Sequence, residues 1–281
     1  MTTQEQQSFV KIINRLKDIP LFSCYSEIFL QHNIKIDLLL SQTNKTYKIH
    51  IDGTNYLLKI PRAKTSSLID HINKQTNTQV AFKLGLTPEV LWNNSKGIEL
   101  IRYLENTRSL NVKDFHNLDI MTKLHDSLSK LHHSQCSFKG NLHDPETIRN
   151  LLQQYYNLCS NELKNTLNQA YESALFALKN IQQYDYPAVA SHIDLIPENI
   201  LIDKDKAQKI WLIDWEYSAM ASPFWDIATV CNEGNFNDAQ AKSFLKKIIN
   251  QASKKDIKLL SHYRDLLGGL SLCWYGAFQK N

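Results

Sequence analysis

SHIDLIPENILIDKDKAQKIWLIDWEY, residues Ser191–Tyr217, sets two short apolar runs, NILI and KIWLI, on either side of the polar loop DKDKAQ. Short apolar runs flanking a polar turn read as a β-hairpin. A hairpin brings its strand ends together. Asn199, where the first run begins, and Asp214, just past the second, are therefore expected close enough to share a cation. Asp194 lies on the loop leading in.

The chemistry follows from that placement. Oxygen-only ligands suit a hard ion such as Mg2+, which takes a few protein ligands and completes its shell with substrate phosphates. A carboxylate left off the metal, here Asp194, can orient a hydroxyl and accept its proton. One metal clamp, one base and little covalent work by the protein is the equipment of phosphoryl transfer. The competing reading makes HIDLIPEN a capped loop and Asp214 a turn cap. The joint spacing H-x-D-x-x-x-x-N, apolar strand, loop, apolar strand, D is far more specific than any single acid, and it favours the functional reading.

The chain around this motif has room for such a site. Its 281 residues suffice for one large domain or two lobes with a real core. At 43% hydrophobic and 21% charged it has the composition of a soluble globular protein. The net charge of +4, from 32 basic and 28 acidic residues, is too mild and too evenly spread to argue for nucleic acid. Cys24, Cys136, Cys159, Cys231 and Cys273 are scattered and form no C-x-x-C pair. That argues against a disulfide framework or a zinc site, and for reduced thiols in a cytoplasmic protein. The N-terminal MTTQEQQSFVKIINRLKDIP has no basic region followed by an apolar core, so it is not read as a signal peptide. The longest nearly apolar run, Leu266–Phe278, is too short to span a bilayer and reads as a buried helix. No feature of the sequence specifies an oligomeric state.

Periodicity gives the layout. Phe9, Ile12, Ile13 and Leu16 predict an amphipathic helix over 3–17, closed by Pro20. IKIDLLL (34–40), TYKIHI (46–51) and NYLLKI (55–60) read as strands, the last two joined at Asp52-Gly53 and the third ended by Pro61. A helix is expected over 68–84, with Leu68, Ile72, Val80 and Leu84 on or near one face, then strands near 90–92 and 98–103. Leu118, Met121, Leu124, Leu128 and Leu131 mark a further helix, two more are expected between about 145 and 182, and 222–278 reads as helical. The sum is an α+β fold: a strand-rich part over 1–104 and a mostly helical part over 105–281, interrupted by the opening hairpin.

SHIDLIPENILI, followed by WLIDWEYSAMASPFWDIA, resembles the aminoglycoside phosphotransferase and choline kinase superfamily, a branch of the protein-kinase-like fold. DWEY with PFWDIA is most similar to the bacterial choline kinase branch. TNKTYKI, NYLLKIPR, LGLTPEVL and ENTRSL resemble that family's N-lobe and hinge less specifically. The resemblance implies a bilobal fold, with a small antiparallel-sheet N-lobe and a larger helical C-lobe, and ATP with Mg2+ as cofactors. It makes Asp194 the base, Asn199 and Asp214 the Mg2+ ligands, and His192 a brace of the catalytic loop. Lys59 would meet the nucleotide phosphates; the competing reading is an edge-strand lysine in solvent. The hinge, 99–105, would receive adenine along its backbone at Arg102, Tyr103 and Leu104.

Two features depart from the family. The loop between the first strands, LLSQTNKTYK, has no glycine, leaving Thr43 and Asn44 to reach phosphate. The usual glutamate partner of the lysine is absent: no Glu lies between Lys59 and Pro88, and Lys74 occupies the expected position, with Asp70, Gln75 or Gln79 as substitutes.

The acceptor is read from WEYSAMASPFWDIATVCNEGNF. A quaternary ammonium donates no hydrogen bonds, so its site needs aromatic faces and a carboxylate. The resemblance places Glu216, Tyr217 and Glu233 in that pocket, with Trp274 and Tyr275 completing a cage; for the last two, core packing is the competing reading. Trp225 reads as core, and Asp226 as a brace of the catalytic loop. His132 and His133 have no paired ligand spacing. The expected activity is phosphorylation of choline or a similar cationic amino alcohol, a small-molecule partner. Thiamine, ethanolamine and aminoglycosides are alternatives of the same fold. A catalytically impaired binding protein is the alternative of another class, motivated by the two departures.

Overall fold

A two-residue hairpin turn of type I′ needs left-handed backbone at both central positions. Asp52 and Gly53 supply it, with φ of 50° and 77°. They join β2 (Asn44–Ile51) to β3 (Thr54–Pro61) in the first of two compact units in this computed structural model. That unit comprises Met1–Gln75 with Pro88–Glu105, and the second comprises Thr76–Thr87 with Asn106–Asn281. The structure describes residues 3–25, 34–39, 44–62, 69–204, 209–249 and 251–278.

The first unit is built on an antiparallel sheet of order β1-β2-β3-β5-β4, where β1 is Lys35–Leu39, β4 Val90–Asn93 and β5 Glu99–Arg102. Successive side chains along a strand take opposite faces. On one face Tyr47 pairs with Leu58, and Leu58 with Leu100. With Ile49 and Ile51 they pack against Ile12 and Leu16 of α1 (Thr3–Lys17) and against Ile19 and Phe22. The next residue of each strand faces the other way, and there the row is polar: Thr46 opposite Lys59, and Lys59 opposite Glu99.

The helix expected over 68–84 forms as α2, His71–Lys83, and Leu68 lies outside the described residues. Its covered stripe is Lys74, Asn77, Thr78 and Ala81, at helical spacing, while Ile72 is 71% exposed. Val80 and Leu84 are partly buried against the core as their spacing predicts. Ile72 is not, because the first turns of the helix point Lys74 and Asn77 inward to polar partners.

The second unit holds α3 (Leu118–His132), α4 (Pro145–Leu158), α5 (Asn161–Ile181), α6 (Pro223–Glu233), α7 (Asp238–Ile248) and α8 (Lys254–Phe278). Asn117, Asp144, Ser160, Ser222 and Asn237 cap five of them with side-chain oxygens. Met121, Leu124, Leu128 and Leu131 line α3's buried face; Leu118, in its first turn, is exposed. Helices α5 and α8 pack closely because Gly269 has no side chain: a Cβ there would stand 2.6 Å from the Ala170 carbonyl oxygen and from the Ala174 Cβ. The expected hairpin is present as β8 (Ile200–Asp203) and β9 (Ile210–Leu212), extended by β6 (Thr107–Ser109) on the far side of β8. Two short strands, β7 (Val189–Ser191) and β10 (Ala219–Ala221), pair beside it. These and β6 are three residues each, too short to show a period. Cys136, Cys159, Cys231 and Cys273 are free thiols. Among the described residues no helix is long and apolar enough to cross a membrane.

Candidate active site

A β-branched residue in left-handed backbone costs about 1–3 kcal/mol and persists only where its surroundings hold it. Ile193 is such a residue, with φ of 76°, between His192 and Asp194. The hold comes from the first turn of α6. Asp226, fully buried, accepts the Ile193 N–H on Oδ1 at 2.8 Å and the His192 N–H on Oδ2 at 3.0 Å. Trp225, its neighbour in sequence, donates its indole N–H to the Ile193 carbonyl at 3.2 Å. Both backbone groups of the strained residue are thus fixed by one helix. His132, at the end of α3, adds its Nε2 to Asp226 Oδ2 at 2.9 Å. His132 has a structural task that its sequence position did not show.

The hairpin register sets Ile200 opposite Leu212, so Asn199 and Ile213 meet at the strand ends. The Ile213 N–H donates to the Asn199 carbonyl at 2.9 Å. His192 crosses to the same segment: its Nε2–H donates to the Ile213 carbonyl at 3.0 Å, and its ring lies 4.4 Å from that of Trp215. Asp214 follows in left-handed backbone, with φ of 67°. The Asn199 amide nitrogen donates to the Asp194 carbonyl at 3.0 Å and to its Oδ2 at 2.8 Å. Those bonds orient the amide and leave its oxygen as the atom offered to a cation.

The Asp194 carboxyl is pushed up to about 7, first by burial and then by the charge of Asp214; Glu233 and Glu198 add smaller repulsions, and the Asn199 hydrogen bond opposes them. Two carboxylates that repel, with an amide oxygen beside them, fit a hard divalent cation. Among the described residues no three His, Cys, Asp or Glu side chains form a metal-binding group.

The acceptor-side residues expected from the sequence share one electrostatic neighbourhood. Burial raises the Tyr217 phenol, and Glu216, Tyr155 and Asp194 raise it further, while a hydrogen bond with Trp274 opposes them. Tyr275 is raised by burial and by Glu233, Glu198 and Asp194. Glu233 is raised by burial and then by Glu198. The Trp274 and Tyr275 rings meet edge to face at 5.3 Å. Two members were not anticipated. Tyr155 of α4, 4% exposed, is raised by burial and by the charges of Asp194 and Glu216. It sits on the helix's buried stripe with Ile148 and Leu152, so its spacing reads as core. Glu198 is the other, inside the motif itself.

Lys59 is 6% exposed on the sheet's third strand, flanked by β2 and β5, which removes the reading of an edge-strand lysine in solvent. A carboxylate that α2 lacks stands across the sheet: Glu99 is the register partner of Lys59, and it receives Lys74 Nζ on Oε2 at 2.9 Å. Asn44 is buried at the start of β2, and its carbonyl accepts from Arg62 Nε at 3.2 Å. Thr43 lies outside the described residues. In the expected hinge, the Arg102 N–H donates to the Glu89 carbonyl at 2.9 Å and its guanidinium pairs with the Glu89 carboxylate at 2.8 Å. Lys48 Nζ sits 4.2 Å from the Tyr103 ring centre, and Leu104 follows. The Arg102 amide is committed to the sheet, so it does not donate to adenine in this arrangement.

A family model described as choline/ethanolamine kinase matches residues 36–263. Protein LicA of Haemophilus influenzae is 30% identical over 243 residues, spanning 83% of this chain and 69% of that protein. The structure of choline kinase LicA from Streptococcus pneumoniae superposes with a TM-score of 0.74 at 21% identity, covering 93% of this chain and 91% of that one. A structure of LicA in complex with AMP gives 0.74 at 21% identity, over 92% and 89%.

Proposed function

This chain belongs to the choline/ethanolamine kinase family, and from that premise we propose that it transfers the γ-phosphoryl group of ATP to the hydroxyl of choline. One observation carries the choice of acceptor. Tyr155, Tyr217, Tyr275 and Glu233 all feel the charge of Asp194, Glu216 acts on Tyr155 and Tyr217, and the Trp274 ring meets Tyr275 edge to face. Aromatic faces attract a quaternary ammonium by about 0.5–2 kcal/mol each when desolvated, and the two carboxylates supply its counter-charge.

Asp194 accepts the hydroxyl proton as the alcohol oxygen attacks the γ-phosphorus. The bond from that phosphorus to the β,γ-bridging oxygen breaks, and ADP leaves with the electron pair. Asn199 and Asp214 would hold Mg2+, which would supply positive charge to the transferring phosphoryl group. Asn199 holds the Asp194 carboxylate through its amide nitrogen, His192 ties the catalytic loop to the segment bearing Asp214, and Asp226 keeps Ile193 in its strained turn. Lys59 binds the nucleotide phosphates. Adenine lies along the strand-to-hinge backbone at Tyr103 and Leu104.

Incubation with Mg-ATP and choline, ethanolamine, thiamine or kanamycin, following ADP release, tests this reading. Choline-dependent release, abolished by Asp194→Asn, is the expected result. Turnover with thiamine or kanamycin alone overturns the pocket assignment, and turnover that survives Asp194→Asn overturns the base.

A further inference from the structure

A buried lysine is costly without a counter-charge nearby. Helix α2, HINKQTNTQVAFK, contains no acidic residue, and the sheet sets one directly opposite Lys59. Glu99 is the direct cross-strand partner of Lys59, and both are buried, at 4% and 6% exposure. Residues so paired have Cβ atoms about 4.5–5.5 Å apart. On its other side Glu99 holds Lys74 of α2, Oε2 to Nζ at 2.9 Å, with both side chains 5% exposed. A carboxylate accepts on both oxygens, so one group can serve two ammonium ions. His71 lies within reach of both Lys74 and Glu99, but burial and then the Lys74 charge lower its pKa, so Glu99 is not drawn away by an imidazolium.

We propose that Glu99 is the positioning residue for Lys59, and that Lys74 fixes Glu99 in turn: a Lys59–Glu99–Lys74 chain in which the carboxylate comes from the strand and the lysine from the helix. Stability gives no reason for such a group, because apolar side chains of similar volume often fill a buried site at least as well as an ion pair. A fixed ammonium at the nucleotide phosphates does give one. The inference rests on the reading of Lys59 as a phosphate-binding residue.

A double-mutant cycle on nucleotide binding tests it. Kd for Mg-ATP, and kcat and KM for ATP and choline, are measured for Glu99→Gln, Lys59→Met and the double variant. Glu99→Gln leaves Lys74 buried beside a neutral amide, so the whole cycle is repeated in a Lys74→Met background. Thermal unfolding reports folding throughout. Glu99→Gln is expected to weaken Mg-ATP about tenfold, a coupling usual for contacting residues, with choline KM unchanged. On the Lys59→Met background the same change is expected to have no further effect on Kd. The reversed pair, Glu99→Lys with Lys74→Glu, is expected to recover most of what Glu99→Lys alone loses. Equal losses with and without Lys59, or loss of stability with Mg-ATP affinity retained, overturn the proposal and leave the kinase reading standing. An affinity unaffected by Lys59→Met removes its basis. Tight Mg-ATP binding without choline turnover sinks the acceptor assignment, while the cycle on Kd still decides the role of Glu99.

Discussion

Replacing Asp226 by asparagine changes one atom of a fully buried side chain and tests whether α6 sets the catalytic loop. The carboxylate accepts three hydrogen bonds: Ile193 N–H on Oδ1, and His192 N–H and His132 Nε2 on Oδ2, at 2.8, 3.0 and 2.9 Å. An amide has one accepting oxygen and one donating nitrogen. If the nitrogen takes the Oδ1 position it confronts the Ile193 N–H. If it takes the Oδ2 position it confronts the His192 N–H. Either orientation breaks at least one bond to an ionised group, worth about 1.5–3 kcal/mol. It also buries a backbone N–H against another donor. Ile193, at φ of 76°, has strain to release once freed, so the loop relaxes rather than holding its place. A net loss of about 3 kcal/mol in the competent geometry corresponds to roughly a hundredfold drop in kcat, at 1.36 kcal/mol per tenfold. The assay is ADP release under saturating choline and ATP, with thermal unfolding alongside. His132→Phe removes only the third bond and serves as the comparison; a smaller drop, about tenfold or less, is expected for it. An Asp226→Asn protein with wild-type kcat refutes the argument, because no orientation of the amide satisfies both backbone donors.

Tyr155 makes the cage testable away from the motif. Tyr155→Phe keeps the aromatic face and is expected to change choline KM less than about threefold, whereas Tyr155→Ala, losing on the order of 1–2 kcal/mol of cation attraction, is expected to raise it about tenfold with ATP KM unchanged. Arg108 and Asp114 give a pH dependence. The bidentate Arg108 guanidinium holds the Asp114 carboxyl below its ordinary value, by side-chain hydrogen bonds first. A depressed carboxyl stabilises the fold above its unfolded pKa of about 3.9 and loses that contribution as pH falls through the lower folded value. Arg108 is 40% exposed, so the contribution is about 1 kcal/mol or less. The melting-temperature gap between wild type and Asp114→Asn should therefore be present at pH 7 and narrow near pH 3, and a gap independent of pH contradicts it. Gly269→Ala places a methyl carbon 2.6 Å from the Ala170 carbonyl; overpacking of this kind costs about 1–3 kcal/mol, to be read as a lower melting temperature.

What the sequence disclosed follows the range of each interaction. The hairpin carrying Asn199 and Asp214 was legible because its partners are neighbours in the chain and its turn is polar. Asp226 was legible only through the family resemblance that PFWDIA carries. His132, 94 residues away from Asp226, was not: a histidine at a helix end offers no period to read, and only packing brings it to the carboxylate. Tyr155 was hidden for the opposite reason. It obeys its helix's apolar stripe so well that the sequence reads it as core, which it also is, at 4% exposure. A buried aromatic can pack on one side and present a face on the other, and periodicity registers only the first.

Glu99 shows why a missing residue in a sequence pattern need not mean a missing group in space. The sequence argument searched for a carboxylate along the helix after Lys59 and met Lys74, which by itself suggested a poorly held lysine and a weakened enzyme. Antiparallel pairing adds a second set of neighbours that sequence order conceals: the residue opposite Lys59 is 40 positions on, across β4 and its turn. The covered face of α2 then makes sense. A helix that buries Lys74 and Asn77 while exposing Ile72 has been turned toward polar partners. Each is found: the Glu99 carboxylate for Lys74, and for Asn77 the Lys139 and Ser218 carbonyls at 3.0 and 2.9 Å. Within the second unit, Asn77 thereby meets the turn that follows Asp214, whose Ser218 hydroxyl in turn donates to the Trp215 carbonyl at 2.6 Å.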